Sequence, residues 1–183
     1  MADGEHYTTL EKNNILRYSY ATDAPGESLL PSPAPDLVIS DYLFSPDERT
    51  ILIASGRKPI YRHSYTTSYS LIRDNRVQPV LRQAEAPRDA SFSPDGQRLA
   101  YVSRLEGRFR VAVMDLATGQ DVLVTVTDRD ESPSFAPNGR FLVYATEENG
   151  RGVLGTSSAD GRLTTRLTGD GGLRAPAWGP IIQ

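Results

Sequence analysis

The chain contains no cysteine, which excludes disulfide staples and thiolate metal sites and leaves packing to supply stability. Histidine is nearly absent: His6 and His63 are the only two, so a Ser-His-Asp triad has few candidate bases. No apolar run approaches the ~18 residues that a membrane span requires. Residues 1–20 lack the apolar core of a signal peptide, and the chain reads as soluble, with no targeting signal and no membrane partner. Positive charge is not in surplus, since 20 Lys and Arg face 23 Asp and Glu for a formal net charge of −3. Phosphate-backbone binding needs a concentrated excess of cations, so nucleic acid is excluded as a partner. Helical periodicity with caps is missing throughout. What remains is ordinary globular composition, 38% hydrophobic and 23% charged over 183 residues, enough for one well-packed domain.

The informative feature is an internal repeat. "DYLFSPDERTILIAS" from Asp41, "DASFSPDGQRLAYVS" from Asp89 and "SPSFAPNGRFLVYAT" from Ser132 align, with Pro46, Pro94 and Pro137 spaced 48 and 43 residues apart. A period of ~40–50 residues holding several short strands belongs to propeller blades. Proline presets φ for the first central turn position, Asp or Asn bonds its own backbone, and glycine takes the left-handed site, so each copy reads as strand, turn, strand. Residues 51–55, 99–103 and 141–146 then suit strands buried on both faces. A third strand runs to an aspartate before a polar turn, at Asp74, Asp115 and Asp160, and a short fourth follows in "VQPVL", "DVLVTV" and "LTTRLT".

The two ends fit the same register. "PAWGP" places Trp178 and Pro180 where other copies have Phe and Pro, 43 residues after Pro137. At the other end Asp3-Gly4 matches Asp95-Gly96, "EHYTTL" the second strand, "NILRYSYATD" the third up to Asp23, and "ESLL" the fourth. The spacing therefore predicts an all-β propeller of four four-stranded blades in a single domain, 1–183. The blades are 173–183 plus 1–31, 37–83, 88–127 and 130–169, the first being completed by strands from both termini, which removes two open sheet edges. A rival with the same local structure is two chains forming an eight-bladed ring by self-association. The proline-rich "LLPSPAPD" is a blade connector.

Two resemblances meet near residue 85. Residues ~88–183, with "SFSPDGQRLAYVS", "VAVMDLATGQ", "ADGRLTTRLTG" and "APAWGP", resemble the C-terminal blades of the TolB β-propeller. Residues ~1–85, with "MADGEHYTTL", "ISDYLFSPDERTILIAS" and above all "YRHSYT", resemble the N-terminal β-propeller of dipeptidyl peptidase IV and its prolyl-peptidase relatives. Together they imply a chimeric, engineered propeller, a non-catalytic scaffold with no evolved ligand and no cofactor. Two alternatives stand beside it: a protein–protein interaction module retaining part of the Tol–Pal binding role, with a weak protein partner, and a prolyl-peptidase propeller fragment with residual peptide-end binding. Both parent families are exported, periplasmic or extracellular, whereas this chain reads as a recombinant soluble protein.

By that resemblance Arg62 is the one residue inheriting a ligand-binding role, as the arginine that contacts a substrate carbonyl. An arginine fork suits a carbonyl or carboxylate. The substrate-amine glutamates and the hydrolase domain of that family have no counterpart here, and Arg62, His63 and Tyr65 read as an ordered loop between strands. Gly150, Gly152 and Gly155 spell G-x-G-x-x-G, but a dinucleotide site needs a helix start after it, and a strand-like "TSSADG" follows. "GTSSA" lacks the nucleophile elbow, so no catalytic residue is assigned. Asp128, Asp130 and Glu131 lack the glycine and spacing of a calcium loop and read as a solvated inter-blade turn, with no metal site. Arg104, Arg108, Arg110, Arg140 and Arg151 read as edge and loop residues, and Phe44, Phe92, Phe135 and Trp178 as core between adjacent blades.

Overall fold

The computed structural model describes residues 1, 3–31, 36–61, 64–167 and 171–179, with backbone alone at 60, 61 and 64. It is built of strands, and no helix is long and apolar enough to cross a membrane. The chain divides into two compact units, Met1–Arg82 and Gln83–Gln183.

In the first unit, β1 (His6–Glu11), β2 (Asn14–Ser19) and β3 (Glu27–Ser28) form a three-stranded sheet. β4 (Ile39–Phe44), β5 (Ile51–Tyr61), β6 (Ser64–Arg73) and β7 (Arg76–Val80) form a four-stranded one. The second unit holds two four-stranded sheets: β8 (Arg88–Phe92), β9 (Arg98–Leu105), β10 (Arg108–Asp115) and β11 (Asp121–Leu123), then β12 (Glu131–Phe135), β13 (Phe141–Glu148), β14 (Arg151–Ser158) and β15 (Thr164–Arg166). Every sheet is an antiparallel meander in chain order.

The repeated turn has one wiring. Ser45 Oγ donates to Asp47 Oδ1 at 2.6 Å, Arg49 N donates to the same oxygen at 3.1 Å, and Thr50 N donates to Ser45 Oγ at 3.0 Å. Ser93 with Asp95 does the same between β8 and β9, and Ser158 with Asp160 between β14 and β15. The residue after each aspartate sits at left-handed φ, which is cheap for Gly96 and Gly161 but costs strain at Glu48. Asp3 repeats the pattern from the first residue: Glu5 N donates to Asp3 Oδ1 at 2.9 Å, and Gly4 N donates to Met1 O at 3.4 Å. The predicted match of Asp3-Gly4 to Asp95-Gly96 is what the backbone adopts.

The inner strands carry a bulge. Pairing of β8 with β9 slips between Arg88 and Ser91, and that of β12 with β13 between Glu131 and Ser134. Asp89 and Ser132 hold φ 53 at these slips, and Ala175, another 43 residues on, holds φ 47. The segment 171–179 docks in the same register. Asp130 N donates to Phe109 O at 2.9 Å, and Leu173 N to Gly152 O at 3.1 Å. Ser91 Oγ donates to Pro133 O at 3.2 Å, and Trp178 N to Ser134 Oγ at 3.3 Å. Residues 171–179 thus lie beside β12 as β12 lies beside β8.

The first sheet has three strands among the described residues, and 171–179 form no strand. Three expectations need correction. β2, β6 and β14 stop at Ser19, Arg73 and Ser158, leaving Asp23, Asp74 and Asp160 beyond the strand, because Asp160 is spent on the turn. Of "YRHSYT", Arg62 and His63 lie outside the described residues, and Tyr65, expected in a loop, lies in β6. Trp178 is not core, being 42% exposed, whereas Phe135 is buried.

Each unit has its own core. Ile15, Leu30, Ile39, Ile51, Ile53 and Ile72 cluster in the first, joined by Tyr42, whose hydroxyl donates to Thr8 Oγ1 at 2.9 Å. In the second, Ala100, Val102, Val111, Val113 and Val124 meet Phe135, Leu142 and Tyr144 across two sheets. β9 and β13 are buried on both faces over four and five successive residues, as their apolar runs predict.

Candidate functional site

The connector from β11 to β12 holds a buried carboxyl, and among the described residues no other Asp or Glu is buried. Asp130 is fully buried, where an ionised carboxylate is tolerated only with hydrogen bonds. Thr125 Oγ1 donates to one carboxyl oxygen and Thr127 Oγ1 donates to the other at 2.6 Å. Thr125 Oγ1 in turn accepts Val111 N at 2.9 Å, and Arg88 Nη2 donates to Asp130 O at 3.2 Å. The Thr146 hydroxyl approaches the same carboxyl without reaching hydrogen-bond geometry. Burial raises the Asp130 pKa above the usual carboxylate range, against the lowering effect of the threonine hydroxyls. The expectation of a solvated turn therefore holds for Asp128 but not for Asp130. Asp128 is exposed between Arg108 and Arg110, at 3.5 and 3.6 Å. Among the described residues no group of three or more His, Asp or Glu is placed to hold a metal ion.

Outside this network lies a cleft of about 160 Å³ between the connector and the fourth sheet, lined by Thr127, Tyr144, Thr146, Glu148, Thr165 and Arg166 among others. Arg166 pairs with Glu148 at 3.0 Å, and Arg129 pairs with Glu147. Val126, 74% exposed, lines the cleft, and Leu163 and Leu167, 62% and 50% exposed, flank β15. Exposed apolar side chains grouped with ion pairs have the anatomy of a protein-binding surface rather than of a catalytic pocket. No motif in the sequence marks these residues.

The other sequence candidates resolve into structure. Gly150 holds the left-handed turn between β13 and β14. A Cβ on Gly152 would meet Leu173 O at 2.4 Å, and one on Gly155 would meet the Tyr144 ring at 2.6 Å. The G-x-G-x-x-G pattern is thus a turn and two close approaches. Arg62 and His63 lie outside the described residues, and Tyr65 sits in β6 beneath the guanidinium of Arg57, 3.8 Å from the ring centre.

Against this geometry, comparison with known proteins is informative. The family model described as "TolB beta propeller domain" matches residues 38–182. The chain is 54% identical over 81 residues to the Tol-Pal system protein TolB of Azoarcus sp. (strain BH72), covering 44% of this chain and 19% of that protein. It is 55% identical over 83 residues to that of Methylobacillus flagellatus, covering 45% and 19%. The chain thus spans about a fifth of the length of these curated relatives. Among solved structures it resembles TolB from Acinetobacter baumannii, with 29% identity, TM-score 0.67, and coverage of 96% of this chain and 44% of that one. It also resembles dipeptidyl peptidase 4 from Porphyromonas gingivalis, with 21% identity, TM-score 0.73, and coverage of 92% and 32%; this likeness shows the fold alone. The expectation of a designed scaffold with no evolved ligand is overturned by identities near 50% to named Tol-Pal proteins from several bacteria. The reading of a chimera gains no support, because the family match runs straight across residue 85. With its repeat, its meander sheets and a match over residues 38–182, the chain belongs to the TolB beta propeller domain family.

Proposed function

We propose that this chain is a protein–protein interaction module of the Tol–Pal system, acting in the periplasm and catalysing no reaction. The observation that carries the reading is the 54% identity over 81 residues to a protein named as a Tol-Pal component. Exposed Val126 lines the cleft with Glu148 and Arg166, and exposed Leu163 and Leu167 flank β15, which together supply apolar surface suited to a protein partner. Immobilised chain should retain the lipoprotein Pal at about micromolar concentration, and Val126→Glu with Leu163→Glu should abolish retention while circular dichroism stays native. Absence of Pal on the folded wild-type chain overturns the reading; retention by the double variant overturns the surface.

The division into blades 173–183 plus 1–31, 37–83, 88–127 and 130–169 is part of the proposal, as is completion of the first sheet by 173–183 within one chain. The repeat register and the docking of 171–179 beside β12 support it. A light-scattering mass near the 20.1 kDa of one chain fits that closure, and about twice that mass points to an eight-bladed ring of two chains.

A further inference from the structure

The β5–β6 hairpin is the longest among the described residues. Twelve residues separate the paired Ser55 and Ser68, against six between Ser103 and Arg110 in the third sheet. The extension leaves the sheet at a bulge, where Gly56 holds left-handed φ and its N–H donates to Val38 O at 3.1 Å. No carboxylate occurs in the sequence between Glu48 and Asp74, although the chain as a whole is acidic. Arg57 and Lys58 are exposed on this extension, and neither forms an ion pair with a described residue, whereas eight other arginines do. The Arg57 guanidinium carbon lies over the Tyr65 ring, 3.8 Å from its centre. A guanidinium held over a ring face keeps its N–H donors for other acceptors, such as the two oxygens of a carboxylate.

We infer that the extended hairpin is a cationic arm that grips an acidic, Asp- and Glu-rich segment of a protein partner through Arg57 and Lys58. This deepens the interaction-module reading and rests on it. A guanidinium fork binds carboxylate and phosphate alike, and the carboxylate is taken because the interaction-module reading calls for a protein partner. The test is fluorescence anisotropy of a labelled oligoglutamate peptide against the folded full chain. Arg57→Glu with Lys58→Glu should weaken binding by at least ~30-fold, because each reversal removes an attraction and adds a repulsion. Arg57→Lys, which keeps the charge and loses the fork, should fall between, and binding should weaken as salt rises. Val126→Glu with Leu163→Glu should leave peptide binding unchanged, so failure of the arm and failure of the Pal surface are separable. The inference is overturned if the doubly reversed chain binds as well as wild type, if the peptide does not bind at low salt, or if polyphosphate of equal charge competes better than oligoglutamate.

Discussion

Replacing Gly152 by alanine isolates the docking of residues 171–179 from the stability of the sheets. The new Cβ would stand 2.4 Å from Leu173 O and 3.4 Å from Leu173 C and N. The carbonyl must withdraw by about 1 Å to reach the ordinary ~3.5 Å contact. Withdrawal of that size stretches the 3.1 Å bond from Leu173 N to Gly152 O beyond hydrogen-bond range, losing ~1 kcal/mol. Alanine also restricts the unfolded chain, returning ~0.4–1 kcal/mol, so the melting temperature should hardly move. The local effect is readable because Trp178 is the only tryptophan in the chain and lies in the docked segment. Its emission should shift to the red, and acrylamide should quench it more strongly. Gly155→Ala is the contrast, since there the Cβ meets the buried Tyr144 ring and hydroxyl at 2.6 and 2.7 Å. Overpacking of ~1–3 kcal/mol should lower the melting temperature by several degrees. An unchanged tryptophan spectrum and quenching in Gly152→Ala would refute the docking.

Leu142→Ala, at a fully buried position facing Phe135 and Val113, should cost ~2–5 kcal/mol in urea unfolding; a loss no larger than a surface substitution would mean the two sheets do not share that core. Acid should act through two opposed groups of carboxyls. The Ser45 and Ser158 hydroxyls hold Asp47 and Asp160 below the usual range, and the Glu5 amide with the His6 ring holds Asp3 at about 2. Their folded pKa values lie below the unfolded ones, so the stability they contribute is present above ~pH 4 and lost as pH falls through the folded values. Asp47→Asn with Asp160→Asn should flatten that limb. Asp130 has the reverse sign: its folded pKa is raised, so its contribution falls as pH rises through that value, and Asp130→Asn should remove the decline.

The parts of the fold that local chemistry specifies were legible in the sequence. Ser-Pro-Asp-Gly writes a turn within six residues, so the register from Asp3 to Asn138 could be read directly, and double-sided apolar runs located β9 and β13. The parts that depend on distant neighbours were not. Asp130 looks like Asp128 in a string of charges, and only the hydroxyls of Thr125 and Thr127, with the sheets closing over them, make it a buried group. Trp178 shares the repeat position of Phe135, yet stays partly exposed because 171–179 are held by single hydrogen bonds to β12 and β14 rather than by a paired strand. The exposed Val126, Leu163 and Leu167 carry no motif at all. Function was misread for a related reason: the "YRHSYT" hairpin suggested a second source, whereas hairpin length varies freely at a sheet edge without changing the family of the blade.

The serine-aspartate turn has a further consequence for how the protein reaches its structure. All of its bonds close within the span from Ser93 to Arg98, or its equivalent, and none waits for another sheet. Each hairpin can therefore form on the microsecond scale of local closure before any long-range contact is made. Sheet-to-sheet packing is left as the slow, cooperative step. In such an array, a defect in one turn should slow the formation of its own hairpin while its neighbours nucleate at their usual rate.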